Sequence, residues 1–126
     1  MTVLRPGDFH FRSQVNYDFL LDLEDKGITR YDWLGTVVFY IALHRVRAVL
    51  ARDHGINYKL GHDQLNNFVI EHLTDIADSY EFLYTESRRY RYELKENENV
   101  TKETYEEVKK ILFDEIFPKT QFGAFA

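Results

Sequence analysis

Cysteine is absent from the 126 residues, which excludes a disulfide scaffold and every thiolate metal site and suits a reducing cytosol. Only two Pro and six Gly are present, too few for a collagenous or linker-type chain. No uninterrupted apolar run approaches the ~18 residues of a membrane span, and Met1 to His10 holds no signal-peptide core. There is no Gly-rich phosphate loop and no nucleophile elbow. Ser13, Ser79 and Ser87 lack any sequence signature of activation, so neither serine-type catalysis nor nucleotide triphosphate hydrolysis is expected. An excess of positive charge is also lacking, with 16 Lys plus Arg against 21 Asp plus Glu.

What the chain does have is aromatic mass: nine Tyr, ten Phe and one Trp, 16% of the residues. That content excludes disorder, and 126 residues suffice to bury one core. Residues 1–126 therefore read as a single cytoplasmic domain. The net charge of −5 lies wholly in residues 64–126, and residues 1–63 balance. Such a domain repels phosphate backbones at long range. Locally, Ser87-Arg88-Arg89-Tyr90-Arg91-Tyr92 packs three Arg and two Tyr into six residues, enough to grip a nucleotide or a short single strand.

Periodicity is helical throughout, with no alternating strand. Asp8 is expected to cap a first helix reaching about residue 26, with Phe11, Val15, Phe19 and Leu23 inward and Gly27 as its stop. A second helix over about 31–53 is apolar on two sides. One stripe is Phe39, Leu43, Val46 and Leu50, and the other is Leu34, Val38 and Ile41, the pattern of the central helix of a bundle. Arg45 and Arg52 should mark where solvent begins. After a loop over 55–61, helices are expected over about 62–73 and from Thr74 or Asp75 to about 95. The latter carries Ile76, Tyr80, Leu83, Ser87, Tyr90 and Leu94 on one face. Thr101 reads as the N-cap of a last helix over about 101–117, with Tyr105, Val108 and Leu112 inward, a Glu106–Lys110 pair outside, and Pro118 at its end. The tail 118–126 contains Phe122 and Phe125, which would dock on a neighbour or fray. The expected architecture is an all-α, antiparallel four-to-five-helix bundle.

The central stretch Asp32-Trp33-Leu34-Gly35-Thr36-Val37-Val38-Phe39-Tyr40-Ile41-Ala42-Leu43-His44 resembles the aromatic, then Ala-Leu-His helix of small HEPN-domain proteins. Asn16 with Phe19-Leu20, then His62, then Tyr80, Leu83 and the Arg–Tyr cluster follow in that family's order, over roughly residues 8–94. The resemblance implies a helical bundle that forms a homodimer and binds RNA or a nucleotide. Some members are metal-independent ribonucleases of toxin–antitoxin and phage-defence systems, and others are non-catalytic binding modules. The ribonucleases carry Arg, four to six residues, then His late in the domain. Here the stretch from Arg88 onward has no His, and the last one is His72. Arg5 with His10 and Arg47 with His54 reproduce the spacing only as often as chance supplies it, and Pro6-Gly7 after Arg5 spoils a helical register.

Candidate chemistry gathers on Tyr40, His44, Arg47, Ala51 and His54, which share a narrow face of the second helix. His44 has the pKa range of a general base or acid, Arg47 suits a phosphate, and Ala51 leaves room beside them. The competing interpretation is a half-buried His bonded to a Tyr or carboxylate. His62 is either a structural residue at a helix start or a second catalytic His. Arg88 and Arg91 would hold a nucleotide on which Tyr84, Tyr90 and Tyr92 stack if exposed, unless Glu81, Glu86, Glu93 and Glu96 neutralise the arginines. A metal at His44, His62 and Asp63 has no supporting His or Glu spacing, so neither metal nor cofactor is expected. The alternative to nucleic-acid binding is a protein-interaction module or antitoxin-like subunit using the aromatic surface and the Phe tail.

Overall fold

In the computed structural model, which describes residues 4–57 and 60–121, every regular element is helical. The elements are α1 (Pro6–Asp25), α2 (Tyr31–His54), α3 (His62–His72), α4 (Ala77–Arg88) and α5 (Lys102–Ile111). A 3₁₀ turn, Thr74–Ile76, leads into α4. One π-helical turn extends α4 over Arg89–Glu93, and another extends α5 over Leu112–Ile116 before a short 3₁₀ turn, Phe117–Lys119. The result is an antiparallel all-α bundle.

α2 is its axis. Both predicted apolar stripes are buried, and Val38, Ile41, Ala42 and Val46 are completely inaccessible. Around them pack Leu20 of α1, Leu65 and Val69 of α3, Tyr80 and Leu83 of α4, and Tyr105, Val108 and Leu112 from α5 and its extension. Each such side chain contributes about 1.5–3 kcal/mol of transfer free energy. α2 is the one described helix long and apolar enough to match a membrane span, with mean hydropathy 1.5 over its best 18-residue window. The window meets that average although polar residues break its apolar runs, and 72% of it is buried in the bundle.

α1 corrects the sequence reading. Its inward residues are Phe9, Ser13 and Leu20, whereas Phe11, Val15 and Phe19 stand 68%, 50% and 50% exposed. Apolar residues occur all around this helix, so periodicity alone could not choose its face. The Ser13 hydroxyl donates to the Ile41 carbonyl at 3.4 Å, and Phe9 enters a small second cluster with Ala48, Val49 and Ala51. Ala51 therefore leaves no room for a cleft, because Phe9 fills it. Asp8 is the third helical residue rather than the cap. Its carboxylate accepts from the Arg5 backbone N–H at 2.9 Å. Pro6 opens the helix at N1, where its missing N–H costs nothing, so Pro6-Gly7 starts the helical register instead of spoiling it. Gly27, at φ +73°, closes α1 as expected.

Thr101 caps α5, accepting from Thr104 N–H at 3.2 Å. The outer-face partner is Lys109 rather than Lys110, and it reaches Glu24 of α1 at 2.7 Å and Glu106 at 3.8 Å. The Tyr105 hydroxyl donates to the same Glu24 oxygen at 2.8 Å. Arg45 does not mark the solvent boundary. Its guanidinium donates to the Thr120 hydroxyl at 2.9 Å and carbonyl at 3.0 Å and lies 4.1 Å above the Phe117 ring. Pro118 sits within the final 3₁₀ turn instead of ending the helix before it. Phe122 and Phe125 lie outside the described residues.

Candidate functional site

Four segments bring the candidate residues together. α2 contributes Tyr40, His44 and Arg47 from one face, and His62 opens α3 behind its N-cap Gly61. α4 contributes Tyr84 and Arg88, and its π-helical extension contributes Arg91 and Tyr92. A π turn inserts a residue into the helical count and re-aims what it carries. Its seat depends on Gly35, because a Cβ at that position would lie 2.6 Å from Cε2 of the buried Tyr90 ring. From there Arg91 Nη1 donates to the Tyr40 hydroxyl at 2.9 Å, and Arg91 Nε donates to the Ser87 carbonyl at 3.2 Å. Arg47 Nη2 donates to the Leu60 carbonyl at 3.1 Å, turning the guanidinium toward the start of α3.

The ring of His62 stands 5.3 Å from Tyr84 and 6.2 Å from Phe39, centroid to centroid. Burial lowers its pKa, and the positive charges of Arg47, Arg91 and Arg88 lower it further against a single opposing carboxylate, Asp63. His62 is thus shifted toward the neutral imidazole, within electrostatic reach of three guanidinium groups. His44 is lowered to about 4, by burial first and then by Arg47 and Arg12. Arg47 acts on both imidazoles and joins the two halves of the site.

Pairing distinguishes these arginines from the rest. Among the described residues, Arg5, Arg30, Arg52 and Arg89 each hold a carboxylate. Arg45 is spent on carbonyls and the Thr120 hydroxyl. Among the described residues, Arg12, Arg47, Arg88 and Arg91 have no carboxylate within 4.0 Å, and all four act on His44 or His62. Neutralisation of the Arg–Tyr cluster by its glutamates is therefore confined to Arg89, which pairs with Glu86 at 3.0 Å and Glu98 at 3.4 Å. Tyr92, 69% exposed, lies under Arg88 and Arg91 at 5.8 and 5.2 Å from ring centroid to guanidinium carbon.

Several orphaned polar atoms belong to this environment. His44 Nδ1, Arg47 Nε, His62 Nδ1 and the Tyr80 hydroxyl are buried without a hydrogen-bond partner among the described residues, and the other three all lie within electrostatic reach of Arg47. Buried polar groups are normally satisfied, so a cluster of orphans marks groups that a ligand or solvent completes. The bonded-histidine interpretation of His44 is not met among the described residues, since its buried Nδ1 has no hydrogen-bond partner. His62 does not cap its helix either. His54, from the predicted α2 face, is exposed and stacks on His72 at 4.4 Å instead. Sequence reasoning missed Arg12 and the Tyr80 hydroxyl as members of this environment. Among the described residues, no three His, Asp or Glu are grouped to hold a metal ion.

No family model matches the chain, and no curated protein matches it at a significant level. The class that the structure itself defines is an all-α, multi-helix bundle, a form consistent with the HEPN-like superfamily without identifying it.

Proposed function

We propose that this chain is a HEPN-like domain that binds RNA or a nucleotide between α2, α3 and the π-helical end of α4. The observation that carries the reading is the convergence of Arg47, Arg88 and Arg91 on His62 with no carboxylate partner, in a protein of net charge −5. Like charges gathered without counter-charges oppose folding, and a phosphate resolves that conflict through bidentate guanidinium bonds. Tyr84 and the exposed Tyr92 supply ring faces on which a base stacks, for roughly 1–3 kcal/mol each. Tyr40 positions Arg91.

A ribonuclease activity would follow from the neutral imidazoles. His62 or His44 accepts the proton of a 2′-hydroxyl as its oxygen attacks the adjacent phosphorus. The P–O5′ bond breaks to leave a 2′,3′-cyclic phosphate, the 5′-oxygen takes a proton from water, and an adjacent Arg stabilises the charge on the phosphoryl oxygens. The test is a labelled structured RNA incubated with purified protein and EDTA, beside the His44→Ala and His62→Ala variants. Cleavage that survives the chelator and disappears in a variant establishes a metal-independent ribonuclease. Binding without cleavage leaves a nucleotide- or RNA-binding domain. Absence of binding by the folded protein refutes the reading.

A second reading, a protein-interaction module or antitoxin-like subunit, is favoured by one observation. Phe11, Val15 and Phe19 form an apolar row of successive turns on α1 that nothing among the described residues covers. A second copy in a homodimer, or a protein partner, would cover it. Size-exclusion chromatography with light scattering on the wild type and Phe19→Glu separates a dimer that the charge breaks from a monomer that it leaves unchanged.

A further inference from the structure

We propose that the site continues past His44 to Arg12 on α1, so that the ligand is a single-stranded oligonucleotide spanning at least two consecutive phosphates rather than a mononucleotide. This rests on the nucleic-acid reading above and deepens it. The register of α1 against α2 carries the argument. Ser13 bonds the Ile41 carbonyl, and Phe9 packs on Ala48 and Val49, so residues 9–13 run beside the 41–49 stretch of α2. Arg12 is thereby brought within electrostatic reach of His44. Tyr40, where Arg91 is bonded, and Arg47 are seven residues apart, about 10 Å of helix. That face is longer than one phosphate group.

The charges follow the same line. His62 feels Arg47, Arg88 and Arg91 and not Arg12, whereas His44 feels Arg47 and Arg12 and neither Arg88 nor Arg91. These are two basic loci that share Arg47. Arg12 is exposed and has no carboxylate partner among the described residues. Its guanidinium thus keeps its donors for a ligand. A mononucleotide would fill the His62 locus and leave His44 and Arg12 idle. A strand laid along α2 would place one phosphate at each, with its bases free to reach Tyr84 and Tyr92.

The experiment uses uridine 5′-monophosphate and fluorescein-labelled 2′-O-methyl uridine oligomers of two, four and eight residues, which cannot be cleaved through the 2′-oxygen. Affinity is read by anisotropy and by competition, for the wild type and Arg12→Gln, with circular dichroism confirming the fold. The expected result is at least a tenfold gain in affinity from monophosphate to tetramer. Arg12→Gln should cut that gain severalfold and lower the salt-dependence slope for the tetramer by about 0.7, the value of one single-strand phosphate contact. Equal affinity for monophosphate and tetramer, or a length dependence and slope that Arg12→Gln leaves unchanged, overturns the extension while the nucleotide-binding reading stands. Failure of the folded wild type to bind any of these ligands overturns both.

Discussion

Acidification should weaken the fold and strengthen ligand binding at the same time, through the same imidazole. In the unfolded chain His44 titrates near 6.5, and in the folded protein burial, Arg47 and Arg12 hold it at about 4. Between those values the unfolded chain binds the extra proton, so stability is full above pH 6.5 and falls as the pH drops toward 4. At 1.36 kcal/mol per pH unit the gap corresponds to about 3 kcal/mol. Solvent screening of the partly exposed ring reduces this to about 1–2 kcal/mol, of which about 1 kcal/mol is lost by pH 5. His62, lowered for the same reasons, adds in the same direction. The assay is urea unfolding at pH 7.5 and pH 5.0 for the wild type and His44→Gln. The wild type should lose about 1 kcal/mol more than the variant across that interval. A phosphate seated between Arg47 and Arg12 would offset their charge and favour the imidazolium, so affinity for the 2′-O-methyl tetramer should rise over the same interval. A variant as acid-sensitive as the wild type would refute the assignment of His44 as a buried neutral base.

Other outcomes follow from packing. Gly35→Ala gains about 1 kcal/mol of helix propensity and loses about 1–3 kcal/mol to overpacking against Tyr90, so thermal melting should show a net loss. Ligand affinity should fall with it, because displacing Tyr90 moves the turn that carries Arg91. Leu112→Ala empties a completely buried position and should cost about 2–5 kcal/mol by chemical denaturation. Arg45→Gln should cost about 1–3 kcal/mol and speed amide exchange over residues 117–120, since the guanidinium is what ties that segment to α2. Phe19→Glu should leave monomer stability within about 0.5 kcal/mol, because the ring already faces solvent.

The all-α fold was legible because α2, α4 and α5 have strong periodic faces, and nearly every residue assigned to their interiors is buried. α1 was not legible, since Phe9 and Leu20 lie on one side and Phe11, Val15 and Phe19 on the other, two apolar faces that periodicity does not rank. Docking against α2 through Phe9, Ser13 and Leu20 selects the first. In the candidate site, spacing placed Tyr40, His44 and Arg47 together, and composition marked Arg88 and Arg91. Which glutamate would pair with which arginine depends on angles that the π-helical turn resets, and linear neighbours do not encode that. Arg12 escaped because its partner, His44, is distant in sequence and adjacent only once α1 and α2 are docked.

That turn at Arg89–Glu93 also makes the site sensitive to chain length. Removing one residue between positions 89 and 93 would let α4 continue with ordinary, better-aligned backbone bonds, while rotating everything beyond by about 100°. The shortened protein would have a more regular helix and an arginine facing away from Tyr40. Here the backbone carries an extra residue that helix stability alone does not favour, and the turn it makes points Arg91 toward Tyr40.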